Sequence, residues 1–115
     1  MSIKILHNPR CSKSRQTLQL LNEQSIEPEV VEYLKTPPSA EELTGILKML
    51  GIGARELMRK KEAEYKASGA DNPDLNDTEL VELMVANPKL IERPIVIKDG
   101  KAAIGRPPEQ VLDIL

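Results

Sequence analysis

The chain has 115 residues, 30% of them charged, and a formal net charge of −2. That fits one domain and supplies no basic field to draw it to nucleic acid or an anionic membrane. The only Phe, Trp or Tyr residues are Tyr33 and Tyr65, which counts against the stacking platform of a single-strand binder. Leu, Ile and Val make up about a quarter of the residues, enough for an aliphatic core. No apolar run approaches a membrane span, and Met1 to Leu6 stops at the polar His7-Asn8-Pro9-Arg10, unlike a signal peptide. A single cysteine forbids an internal disulfide and suits a reducing compartment, so a cytoplasmic location is expected.

Ile3 to Leu6 is a β-type run ended by the turn-forming Asn8-Pro9. Ser12 to Glu23 reads as a helix with Thr17, Leu18, Leu20 and Leu21 on its apolar face. Glu29 to Leu34 reads as a second, well-buried strand, and Thr36-Pro37-Pro38 breaks the chain. Ser39 with Glu42 forms a capping-box signature ahead of Leu43, Ile46, Leu47 and Leu50, and Gly51 and Gly53 close that helix. Ala54 to Leu90 is helical in pattern and highly charged, interrupted by Gly69 and Asn72-Pro73. A helix starts within it at Asp77 and Thr78, and Pro88 ends it. Pro94 to Lys98 is a strand, Asp99-Gly100 a two-residue hairpin turn, and Lys101 to Ile104 the return strand. Gly105-Arg106-Pro107-Pro108 leads into a short helix through Val111, Leu112 and Ile114.

A strand–helix–strand start followed by a hairpin and a terminal helix is the thioredoxin plan. The expected fold is therefore α/β: a thioredoxin-like mixed sheet with a helical insert between the second strand and the C-terminal hairpin. Residues 1–115 are expected to form one domain, with the insert a subdomain at about 39–91, because the strands on either side must pair to complete one sheet.

Chemistry concentrates in His7-Asn8-Pro9-Arg10-Cys11-Ser12-Lys13-Ser14-Arg15. Cys11 falls where a loop meets a helix N-terminus, and unpaired N–H groups there favour a thiolate. Lys4, Arg10, Lys13 and Arg15 add positive charge, and no acidic residue precedes Glu23. A thiol so placed is a candidate nucleophile; the alternative is a buried, inert cysteine. His7 serves either as a donor or cation at the thiolate or as a structural loop residue. Ser14, one turn on, either donates its hydroxyl to the thiolate or is an ordinary first-turn serine. One Cys and one His without a further ligand pair leave no metal site expected. Spacing also excludes two alternatives. Ser14 stands where a Cys-x-x-Cys redox motif needs its second thiol, and Thr17 where a Cys-x5-Arg phosphatase loop needs its arginine. Any resolving thiol must then come from another molecule.

The motif His-Asn-Pro-x-Cys-x-x-Ser-Arg-x-Thr-Leu runs from His7 to Leu18. It is followed in order by Tyr33-Leu34 with Thr36-Pro37-Pro38, Leu57-Met58-Arg59-Lys60, Glu92-Arg93-Pro94-Ile95-Val96, and Arg106-Pro107. In these motifs the whole chain resembles the glutaredoxin-dependent arsenate reductases and their short relatives. The resemblance implies a nucleophile at Cys11 and oxyanion-binding arginines at Arg59, Arg93 and Arg106. Arginine suits that task, being permanently charged and offering a planar fork to a tetrahedral anion. Arg59 nevertheless lies in the charged run Arg55 to Lys61, which reads as an exposed helix face. Arg93 precedes a proline entering a strand, the cis-proline loop of the thioredoxin plan, so Pro94 is expected cis. Arg106 follows Gly105, whose backbone freedom would let the side chain turn into the cleft.

The implied activity is reduction of arsenate to arsenite, with glutathione as co-substrate, glutaredoxin as protein partner and no bound cofactor. A monomer is expected from the scarcity of aromatic residues. Two other functions fit parts of the pattern. One is a glutathione-dependent thiol–disulfide reductase or deglutathionylase. The other is a non-enzymatic partner-binding module of the redox-regulator branch, which Ser14 in place of a second cysteine disfavours.

Overall fold

A computed structural model describes residues 3–115. The chain divides into two compact units, Met1–Thr36 with Arg93–Leu115, and Pro37–Glu92.

The first unit contains strand β1 (Ile3–His7), helix α1 (Ser12–Glu23), strands β2 (Glu29–Glu32), β3 (Ile95–Lys98) and β4 (Lys101–Ile104), and a closing 3-10 helix (Pro108–Ile114). Its sheet runs β2-β1-β3-β4. β1 and β2 are parallel, while β3 is antiparallel to both β1 and β4. The sheet is thus mixed and thioredoxin-like, as the element order predicts. At the hairpin, Asp99 and Gly100 take φ values of 48° and 81°. Two successive positive φ angles match the right-handed twist of the flanking strands, which is why Asp-Gly closes two-residue hairpins. Ile5 and Val96 are register partners on neighbouring strands. With Leu21 of α1 and Val111 of the terminal 3-10 helix they form a cluster with no solvent exposure. Each such side chain contributes about 1.5–3 kcal/mol relative to an exposed position.

Two expectations change in this unit. The second strand is not well buried: Glu29 and Val30 are exposed, and β2 ends at Glu32. It lies at the sheet edge, with β1 as its one neighbour, so its side chains meet fewer partners. The terminal helix is 3-10, seven residues from Pro108 to Ile114 with Pro107 as its N-cap.

The second unit holds α2 (Ala40–Leu50), α3 (Ala54–Leu57), α4 (Ala63–Ala67), α5 (Asp77–Ala86) and a 3-10 turn (Pro88–Leu90). Ser39 caps α2 by accepting the Glu42 N–H at 3.1 Å, and Gly51 ends it at φ 70°. At α5 the cap is Asn76, in a reciprocal box with Glu79. Arg55 donates to Tyr65 Oη at 2.6 Å, to the Ala70 carbonyl at 2.8 Å and to the Asn72 carbonyl at 2.8 Å, pinning the loop after α4. Arg59 is not on a helix face. α3 stops at Leu57, and the buried Met58 forms an antiparallel bridge with Ile91. Burial of that apolar pair overrides the local helical pattern. Among the described residues, no helix is long and apolar enough to cross a membrane.

Candidate active site

β1 delivers His7 at its C-terminal end, and the loop 8–10 turns the chain into α1. The turn is made locally. The Cys11 N–H donates to the Asn8 carbonyl at 3.0 Å, and the Arg10 N–H to Asn8 Oδ1 at 3.0 Å. Cys11 is the N-cap of α1, with extended backbone (φ −93°, ψ 123°), and its carbonyl accepts the first helical bond from Arg15 at 3.0 Å. No acidic side chain occupies the first turn, so nothing there competes with a thiolate for the positive end of the helix.

Two arginines meet that sulfur. Nη2 of Arg106 donates to Cys11 Sγ at 3.6 Å, and its Nε donates to the Arg93 carbonyl at 2.8 Å. Arg106 is thereby braced against the loop that carries Arg93. The Arg93–Pro94 peptide is cis, as expected, and so is Arg106–Pro107. Burial pushes the Cys11 thiol up, but the Ser14 N–H, the Arg93 guanidinium and the Lys13 N–H outweigh it, and the thiol titrates below its ordinary value. The backbone groups act without closing a formal cap bond on Sγ. The result is a cysteine only 8% exposed, its thiol pKa lowered, and faced by donors that also suit an oxyanion.

His7 and Ser14 are buried, at 6% and 0% exposure. Ser14 Oγ lies 2.6 Å from His7 Nδ1 and accepts the Asn8 N–H at 3.0 Å. Burial lowers the His7 pKa; the charge of Glu32 opposes the shift and that of Arg15 adds to it. The direction of the His7–Ser14 hydrogen bond follows the tautomer of the imidazole. The Ser14 hydroxyl bonds both His7 and Asn8, and its backbone N–H favours the thiolate. His7 holds the loop through Ser14, and burial disfavours its cationic form.

Arg59 lies in the Pro37–Glu92 unit. It pairs there with Glu62 at 3.2 Å and Glu92 at 3.0 Å, and its N–H donates to the Leu90 carbonyl at 2.7 Å. His7, Cys11, Ser14, Arg93 and Arg106 share the other unit. Among the described residues there is no cluster of three or more His, Cys, Asp or Glu side chains suited to a metal.

The profile of the ArsC family matches residues 6–114. The chain belongs to the ArsC family. Similar proteins include YfgD of Escherichia coli K12, an uncharacterized protein 59% identical over 98% of this chain and 96% of its own. An arsenate reductase of Haemophilus influenzae is 51% identical over the full length of both chains. Among solved structures, an arsenate reductase from Vibrio cholerae superposes with a TM-score of 0.96 at 52% identity, over 100% of this chain and 98% of that one.

Within this ArsC site, sequence reasoning passed over the organising role of Asn8 and the need for a small residue at Gly105. Asn8 organises the loop through its side chain and both backbone groups, and Asn-Pro before a helix was a usable signal. The backbone N–H groups of Lys13 and Ser14 are the helix-terminal donors expected from the position of Cys11, and they act on the sulfur irrespective of side chain. Gly105 is needed for space. Its φ is not in the left-handed region, but a Cβ there would collide with Thr17 and Pro94.

Proposed function

We propose that this chain is an arsenate reductase that works through a Cys11 thiolate, with glutathione and glutaredoxin supplying the electrons. One observation carries this reading: Cys11 caps the N-terminus of α1 with Arg106 Nη2 3.6 Å from its sulfur, and the Arg93 guanidinium helps to lower its thiol pKa. A thiolate is a nucleophile at neutral pH, and paired guanidinium groups suit a tetrahedral oxyanion better than a neutral carbonyl.

The chemistry balances as follows. Cys11 Sγ attacks arsenic and displaces hydroxide, leaving a sulfur–arsenic(V) bond. Glutathione replaces a second oxygen, which leaves as water. The glutaredoxin thiolate attacks the glutathione sulfur and forms a mixed disulfide. The electron pair of the broken sulfur–arsenic bond reduces arsenic to the +3 state. Water then releases arsenite and restores the Cys11 thiolate. Arg93 and Arg106 offset the negative charge on the arsenate oxygens while the anionic thiolate approaches. The family resemblance assigns Arg59 an oxyanion-binding role as well. Dependence on glutathione assigns the reaction to the reducing cytoplasm.

The test is arsenate-dependent consumption of reductant in the presence of glutathione, glutaredoxin and its recycling system, run beside a glutathione mixed disulfide. Turnover of arsenate that disappears in Cys11→Ser is expected. Turnover of the mixed disulfide alone would overturn the assignment in favour of a deglutathionylase.

A further inference from the structure

Gly105 is buried between the end of β4 and Arg106. A Cβ at this position would collide with Thr17 Oγ1, approach Pro94 Cγ to 2.8 Å and Thr17 Cγ2 to 3.1 Å. None of these atoms yields easily. Thr17 is fully buried, its branched side chain is stiff, and its hydroxyl donates to the Lys13 carbonyl at 2.8 Å. The Pro94 ring is rigid and buried.

The position matters because of what adjoins it. The Gly105 N–H donates to the Pro94 carbonyl at 2.9 Å. The next residue, Arg106, is braced on the Arg93 carbonyl and reaches Cys11 Sγ. The three segments that carry Cys11, Arg93 and Arg106 therefore converge on a single Cα.

We propose that Gly105 is a positioning residue of the active site. Its missing side chain lets Thr17 of α1 and Pro94 close against the end of β4, and this three-way contact holds the Arg106 guanidinium on Cys11 Sγ. A methyl group at Gly105 must push the strand end away from α1, and Arg106 moves with it. The proposal rests on Cys11 and Arg106 forming the anion site, but its test needs no arsenate turnover.

Cys11 is the only cysteine of the chain, so alkylation reads one sulfur. The ratio of iodoacetate to iodoacetamide rates, taken at a pH where the thiol is fully ionised, reports positive charge beside Sγ and is insensitive to thiol acidity. Gly105→Ala is expected to lower that ratio about fivefold, the effect of losing one unit-charge contact near the sulfur in a watery site. Thr17→Ala removes two of the three obstructing atoms. The double variant Thr17→Ala/Gly105→Ala should thus return to within about twofold of Thr17→Ala alone, the coupling expected of residues in contact. A folded Gly105→Ala protein with the wild-type ratio would overturn the proposal, whatever its melting temperature. If Gly105→Ala does not fold, the double variant decides: recovery of fold and ratio supports the proposal, and failure of either overturns it. Absence of arsenate turnover in the wild type would instead sink the assigned reaction and leave this ratio unchanged.

Discussion

The Ser14 hydroxyl stands 2.6 Å from Nδ1 of His7, and both side chains are buried beneath the Cys11 loop. The pair explains how a serine three residues after the nucleophile can matter without touching the sulfur. It ties the end of β1 to the first turn of α1 and leaves the Ser14 backbone N–H to favour the thiolate.

Ser14→Ala should therefore separate stability from thiol acidity. It leaves His7 Nδ1 and the Asn8 N–H without their partner, at a cost of about 1–3 kcal/mol per buried group. Denaturant titration should show that loss. The pH midpoint of iodoacetamide alkylation should remain near the wild-type value, because the backbone N–H is retained. A midpoint moved up to that of a free thiol would show that the hydroxyl itself acts on Cys11.

His7 makes folding pH-dependent. Its folded pKa lies below the ordinary 6.5, chiefly through burial. As pH falls through 6.5 the unfolded chain binds a proton that the folded chain refuses, so stability declines until the folded imidazole also titrates. His7→Asn keeps an acceptor near the position of Nδ1 and removes the titration. Urea melts between about pH 7.5 and 5 should show a steeper loss for the wild type than for this variant. Parallel curves would assign the acid sensitivity elsewhere.

Cys11 has the opposite sense of linkage. Its thiol pKa is depressed in the folded state: burial raises it, but the Ser14 N–H, the Arg93 guanidinium and the Lys13 N–H prevail. The thiolate thus contributes stability that is complete above the unfolded value of about 8.5 and is lost as pH falls through the folded one. The stability difference between wild type and Cys11→Ser should grow with rising pH across that interval. Alkylation by iodoacetamide should stay fast below pH 8.5; a midpoint at the free-thiol value would refute the role given to Arg93 and the helix terminus.

Arg93→Lys and Arg106→Lys keep the charge and lose the planar fork. Each should lower arsenate turnover roughly tenfold to more than a hundredfold, as expected for the loss of a charge-assisted hydrogen bond of ~1.5–3 kcal/mol. Reactivity toward neutral iodoacetamide should fall far less. Arg59→Lys should reduce arsenate turnover likewise; a wild-type rate would leave Arg59 only its pairs with Glu62 and Glu92.

Local spacing alone determined much of this protein. Ser12–Glu23 as a helix, the Ser39–Glu42 cap, the Asp99-Gly100 turn and Cys11 at a helix N-terminus are all decided by contacts within a few residues, and such contacts are written in the chain order. The cysteine loop singled out Cys11, His7 and Ser14 as candidates, and the family motifs pointed to the three arginines. Tertiary structure decided what stands beside what. β2 is an edge strand because β1 alone adjoins it, and a run of Val and Glu reads alike at an edge or in the middle of a sheet. Arg59 left the helix pattern because Met58 is buried in a bridge to Ile91, more than thirty residues away. His7 and Ser14 pair because the end of β1 and the first turn of α1 bring both side chains into the buried interior. Gly105 required its small size because a helix and a proline loop converge on it. In each case the deciding partner is distant in sequence, and packing, not local propensity, selects it.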